Sequence, residues 1–316
     1  MNKLHNLKGF YDKELIPELE KIEQSRKSIL VKMGILVAAL VVIFPVSVYF
    51  IMQHVDKPSY ILYFIPIFAL MAVGAYMAFE SLVKNTAYYQ EFKIHVIYKL
   101  IHFVNPTLNY DKKQYISQRE FFNSGFFTKK PISMEGDDHV SGTIDTVKIE
   151  FSELKAKYKN DEDRKKYGSK YQFRGIFFVA ECPKPFPADI VIEPKNIHGE
   201  AAGSALEIAN SEFSASFQVR LLSEKQRQEA QQMLNNDFLK KIVNFKQQLH
   251  NDVFISFVYN KMYVAISHDK DLFEPNVMSS TINFDAIQVH FNDLYYPISV
   301  IEHFAAHKEF DVLNNS

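Results

Sequence analysis

Three groups of side chains in this sequence of 316 residues have types and spacings that support chemistry. Glu135-Gly136-Asp137-Asp138 sets carboxylates around a glycine, and hard oxygen donors of that kind take a divalent cation, although the spacing of a calcium loop is absent. Asp137 and Asp138 are also the nearest approach to a paired acid and base, but neighbours on an extended chain point to opposite faces. His303 and His307, four residues apart, share one helical face, a spacing zinc uses. No third ligand is identifiable there, and the glutamate placement of a zinc-protease helix is missing. Cys182 is the single cysteine; without a base or cation identifiable beside it, a structural thiol is the plainer reading. Phosphate-binding loops, dinucleotide glycine motifs and nucleophile elbows are absent. The residues therefore assign no catalytic group and no cofactor, and they leave Asp137, Asp138, His303 and His307 as weak metal candidates.

What would position these groups is set by two apolar runs, Met33–Met52 and Tyr60–Phe79, each about twenty residues, the length of a membrane-spanning helix. Only residues 53–59 separate them, so the expected arrangement is a transmembrane hairpin over 33–80 that returns the chain to its starting side. Lys3, Lys8, Lys13, Lys21, Arg26, Lys27 and Lys32 precede the first run, whereas the connecting loop holds Lys57 alone. That bias predicts a multi-pass protein of the inner, cytoplasmic membrane with both termini in the cytoplasm. A lone cysteine suits that reducing compartment. Lys32 and Glu80 fall at the membrane interface. Gly34 with Ala38, and Gly74 with Ala78, are small-residue pairs that predict close packing between the two helices or between two copies in a homodimer.

Residues 1–32 read as a cytoplasmic N-terminal helix with Leu19, Ile22, Arg26 and Ile29 on one face, and residues 85–316 as a cytoplasmic α+β domain. In the latter, a helix runs from Asn85 to Val104, a short helix starts at the capping residue Ser117, and helical periodicity recurs over 236–249. Alternation predicts a mainly antiparallel sheet from strands near 147–158, 171–180, 189–193, 213–221, 253–259 and 262–267. The parity of apolar residues changes at Ser152-Glu153, which predicts a bulge. Pro297 is expected to start a last helix. In the connection expected between the first two of these stretches, Lys155–Lys170, the residues Lys155, Lys157, Lys159, Arg164, Lys165 and Lys166 outweigh Asp161, Glu162 and Asp163, a composition suited to contact with lipid headgroups. A net charge of −1 lacks the basic excess expected for nucleic acid.

The stretches Glu135–Gly142, Phe151-Ser-Glu-Leu154, Phe173–Ala180, Ser211-Glu-Phe213 and Leu272-Phe-Glu-Pro275, in this order, resemble a bacterial family. It is the membrane-anchored domain of unknown function numbered 3137, some members of which carry the label galanin. The resemblance implies paired spans, a cytoplasmic domain of mixed α and β structure and an association with LemA-like membrane proteins, and it implies no catalytic residue. Together these readings lead to a membrane-anchored interaction or scaffold domain that binds a protein or lipid partner. The alternatives are a membrane-bound hydrolase or metal-dependent enzyme, and an accessory subunit of a membrane complex.

Overall fold

The computed structural model describes residues 2–54, 65–84, 87–158, 162, 165, 171–195, 201–249 and 251–300. The chain is α+β and divides into two compact units, one of residues 1–99 with 274–289 and one of residues 100–273 with 290–316.

The first unit is helical. Helix α1 (Asn2–Phe10) passes through a π-helical turn (Tyr11–Leu15) into α2 (Ile16–His54), 39 residues long. Leu7, Tyr11, Leu15, Leu19, Ile22 and Ile29 recur every three, four or seven residues, and all are buried. They form an apolar stripe, and α2 lies against α4 (Ala87–Phe92) and the π-helical turn Lys93–Ile97. Residues 274–289 add to this packing: the Tyr11 and Phe284 rings meet edge to face at 5.2 Å, and Lys8 Nζ lies 4.8 Å from the Phe284 ring centre. The N-terminal segment is thus a packed element and not a free stalk.

Beyond Val31 helix α2 changes character. Val31, Ile35, Val37, Val41, Val42, Phe44, Val46 and Tyr49 are all about half exposed or more. Among the described residues one helix is long and apolar enough to cross a membrane, His5–Tyr49. Of the second expected span, residues 60–64 lie outside the described residues, and the remainder falls in α3 (Ile65–Lys84). The α2–α3 contact runs through large side chains, with the Phe44 and Phe68 rings 5.2 Å apart and Val37, Leu40, Met71 and Ala75 lining the groove beside them. Gly34 and Gly74 have nothing within 4 Å of a would-be Cβ. At Gly34 and Gly74 the close approach expected of the small-residue pairs is not seen among the described residues.

The second unit is built on an antiparallel sheet. Its nine described strands are β1 (Asn109–Asp111), β2 (Ser133–Ile144), β3 (Val147–Lys157), β4 (Tyr171–Glu181), β5 (Ile190–Pro194), β6 (Ser204–Leu206), β7 (Phe217–Leu221), β8 (Val253–Val258) and β9 (Lys261–Ser267). They lie in the order β1-β2-β3-β4-β9-β8-β5-β7-β6. On one face Leu154, Ala156, Phe173, Phe177, Phe254 and Tyr263 form a core with Phe121, Phe126 and Phe127. After α5 (Tyr98–Val104), that last segment holds α6 (Gln118–Asn123), capped as expected: Ser117 Oγ accepts from the Glu120 N–H at 3.2 Å. Glu120 does not complete a capping box. Its carboxylate instead accepts from Lys261 Nζ and the Tyr263 hydroxyl, both at 3.0 Å.

Two expectations about elements need correction. Residues 211–216, expected to lead into and overlap a strand, form helix α7 (Ser211–Ser216), because the Asn210 side chain accepts from the Phe213 N–H and caps a turn. The last described helix starts at Phe284 and runs to Val300, so Pro297 lies inside it and not at its start.

Candidate functional site

The side chains that gather into a site come from the face of β2, β3 and β4 opposite the phenylalanine core. Directly paired residues share a face, and the pairs Asp137↔Glu153, Glu153↔Ile176 and Lys155↔Arg174 put Asp137, Glu153, Lys155 and Arg174 together. Between the pairs Asp137↔Glu153 and Val140↔Phe151, strand β2 has two residues, Asp138 and His139, where β3 has Ser152 alone. The bulge therefore exists, but on the neighbour of the strand whose parity suggested it. β3 is regular there, and Phe151, Ser152, Glu153 and Leu154 are all buried because both faces of the sheet are covered.

The bulge overturns the argument that adjacent aspartates diverge. Asp138 takes a left-handed conformation, φ +57°, and is 1% exposed. One carboxylate oxygen from each of Asp137, Asp138 and Glu153 lies within 4.8 Å of the others. Gly136 permits the close strand approach this requires, since a Cβ there would sit 2.4 Å from the Glu153 carbonyl oxygen.

The electrostatics are uneven. The Tyr110 hydroxyl donates to Asp138 Oδ1, and burial, followed by the Asp138 charge, drives the phenol far above its ordinary range. Glu153 Oε2 accepts from the Leu272 N–H at 2.8 Å. Its other oxygen, Oε1, is buried and makes no hydrogen bond; Lys155 Nζ is 3.5 Å away. Burial pushes the Glu153 carboxyl up to about 8, with Leu272 N–H and Lys155 opposing and Asp137 and Asp271 adding repulsion. Lys155 is in direct contact with Asp271 Oδ1, and Arg174 Nη2 reaches the same oxygen at 2.9 Å. These two cations overcome the effect of burial and hold the Asp271 carboxyl below its usual value.

The remaining residues singled out from the sequence do not join this cluster. His303, His307, Lys159, Arg164 and Lys166 are outside the described residues. Lys165 is exposed, and so is Lys32; the Glu80 side chain lies outside the described residues. Lys155 and Lys157 belong to strand β3 and not to the charged connection, and carboxylates hold both, Lys157 through Glu135 at 2.8 Å. This corrects the expected headgroup set, from which both lysines drop out. Cys182 is buried, and burial pushes its thiol up to about 11, the opposite of nucleophilic activation.

Glu153, Tyr110, Lys155 and Asp271 were not assembled by sequence reasoning. The one legible signal was a glutamate inside an apolar strand. Other concavities also occur in this unit. A cavity of about 380 Å³ runs along β7 and is lined by Lys195, Leu206, Phe213, Phe217, Gln218 and Arg220. Behind it the buried Glu193 accepts from Gln218 Nε2 at 2.7 Å and Arg220 Nε at 2.6 Å. A smaller cavity of about 70 Å³ includes Asn251, His268, Asp293 and Tyr296, and burial pushes the Asp293 carboxyl up to about 7.

Residues 171–306 match a family described as a protein of unknown function (DUF3137), the same family that the sequence motifs resemble. The motifs at 173–180, 211–213 and 272–275 fall inside that match; those at 135–142 and 151–154 precede it. No curated protein matches the chain. Among solved structures, the crystal structure of the mycobacterial trehalose monomycolate transport factor A, TtfA, is similar over 61% of this chain and 88% of that chain. The identity is 9% and the TM-score 0.32, a likeness too slight to carry an argument.

Proposed function

We propose that this protein is a membrane-anchored scaffold: α2 and α3 form a hairpin in the cytoplasmic membrane, and the sheet unit, held on the cytoplasmic side, binds a protein or lipid partner there. The observation that carries this reading is the run of exposed apolar side chains on α2 from Val31 to Tyr49. A contiguous apolar surface of this size is unstable in water and is at home in hydrocarbon. At about 1.5 Å per residue, the 39 residues of α2 extend about 60 Å, enough to cross a core of about 30 Å and continue into a soluble helix.

Retention of this helix, as opposed to its removal as a signal sequence, is supported by its other half. Leu15, Leu19 and Ile22 are core residues, and Glu23 and Arg26 bond to residues 277 and 281, so cleavage would open the helical unit. The basic residues before Met33 support cytoplasmic termini. Of the basic connection, Lys159, Arg164, Lys165 and Lys166 are the residues proposed to meet headgroups.

The test uses the full chain in cells. The wild-type protein is expected to stay with membranes through alkaline carbonate extraction and, after crosslinking in the membrane, to migrate as an assembly larger than itself. Val41→Lys with Phe44→Lys is expected to release it. Complete extraction of the wild type, or migration as an uncrosslinked monomer, would overturn the reading.

A further inference from the structure

We propose that Asp137, Asp138 and Glu153 form a binding site for a hard divalent cation. Carboxylate clusters are common without ions, so convergence alone decides nothing. The deciding feature is Glu153 Oε1. Its side chain is 2% exposed, the oxygen makes no hydrogen bond, Lys155 Nζ stands off at 3.5 Å, and its carboxylate is one of the three that converge within 4.8 Å. A buried carboxylate oxygen whose neighbouring cation stands 3.5 Å off, without a hydrogen bond, keeps part of its desolvation penalty, and a metal ion among the three carboxylates removes it.

The geometry also selects the ion. The donors are all carboxylate oxygens, with no thiolate or imidazole in the group, which favours calcium, manganese or magnesium over zinc or copper. One oxygen from each of the three carboxylates lies within 4.8 Å of the others, close enough for a single ion to reach all three. Magnesium dehydrates reluctantly and usually keeps several waters, so a largely buried set of three carboxylates suits it less. Calcium and manganese should therefore bind ahead of magnesium.

The surroundings are compatible with a bound ion. Lys155, the cation beside Glu153 Oε1, is already in contact with Asp271, so an incoming ion need not displace it from its closer partner. Tyr110 braces Asp138 by its hydroxyl, an outer partner of the kind that orients a ligating carboxylate. The two sides of the site are fixed by the ladder of β2 and β3, so the ligands are preorganised.

The sequence contains no tryptophan, which makes terbium luminescence a selective probe: the expected sensitiser is a tyrosine, and Tyr110 touches a proposed ligand. The full chain in detergent, freed of metal by a chelator, is titrated with terbium, and then with calcium, manganese or magnesium in competition. One saturable ion per chain is expected, displaced by calcium or manganese at lower concentration than by magnesium. Asp137→Asn, at a partly exposed strand position, should weaken binding by about tenfold or more. Tyr110→Phe should lose the luminescence while calorimetry still detects the ion. Calcium should raise the melting temperature of the wild type and not of Asp137→Asn. No saturable binding to a folded wild type, or equal binding by folded Asp137→Asn, would overturn the proposal.

Discussion

Glu23 in the helical unit and Glu153 in the sheet unit are both buried, at 7% and 1% exposure, yet they are opposite kinds of carboxylate. Glu23 Oε1 accepts from Arg26 Nη2 at 2.6 Å, and Oε2 accepts from Arg26 Nε, the Thr281 N–H and the Thr281 hydroxyl at 2.9, 3.0 and 2.8 Å. Arg26 first, helped by Thr281 and opposed by burial, holds this carboxyl down at about 2. Arg26 Nη1 also donates to the Val277 carbonyl at 3.0 Å, so the pair fastens residues 277–281 to α2. Glu153 has one backbone donor and an oxygen with none, and burial pushes it the other way. The difference lies in the donors as well as in the deeper burial of Glu153: a fully served carboxylate is a fastener, and a partly served one has capacity left for a ligand.

The largest effect should come from breaking the served pair on one side. Arg26→Met leaves Glu23 buried and uncompensated, and denaturant unfolding of the full chain should show a loss of about 3–5 kcal/mol. Glu23→Gln should cost about 1.5–3 kcal/mol, the range of hydrogen bonds to a charged group. Under metal-free conditions Glu153→Gln should cost less than about 1 kcal/mol or stabilise, because it relieves repulsion with Asp137 directly across the ladder. Equal losses at the two glutamates would break the comparison.

Acid titration should separate the units next. Glu23 lies below the ordinary glutamate value of 4.5, so its contribution is present above that pH and is lost as pH falls towards about 2. Asp293 is raised from 3.8 to about 7, so the folded state holds its proton longer and stability declines as pH rises through that window. Asp293→Asn should flatten that decline, measured as melting temperature against pH, and leave the acid limb of Glu23 unchanged. Ser117→Ala, which removes the α6 cap, should cost about 1 kcal/mol by denaturant unfolding.

Local pattern made part of this legible. The helix Asn236–Leu249 coincides with its 3.6-residue periodicity, and the neighbouring strands Val253–Val258 and Lys261–Ser267 with their apolar runs. Ser117 was readable as a cap because capping depends on residues three positions apart. The helix Ser211–Ser216 was not, since Phe213 and Phe217 also continue the alternation of the strand that follows. Asp137 and Asp138 were singled out as chemical residues but given the wrong geometry, because the left-handed turn at Asp138 arises from pairing with β3. The Glu23–Thr281 bond joins residues 258 apart, and no local pattern carries such a contact. A glycine shows where close packing is sterically allowed, not that it occurs, and Gly34 and Gly74 have nothing within 4 Å of a would-be Cβ.

The central claim is a sheet unit tethered on the cytoplasmic side by an apolar hairpin, and thiol labelling in spheroplasts tests it most directly. Cys182 is buried, so the background from the native thiol is low. One variant carries Lys57→Cys, in the expected loop between the spans, and another carries Lys225→Cys, at an exposed position of the sheet unit. With a membrane-impermeant maleimide, Lys57→Cys should label in sealed spheroplasts and Lys225→Cys only after the membrane is opened. Labelling of Lys225→Cys in sealed spheroplasts would contradict the account.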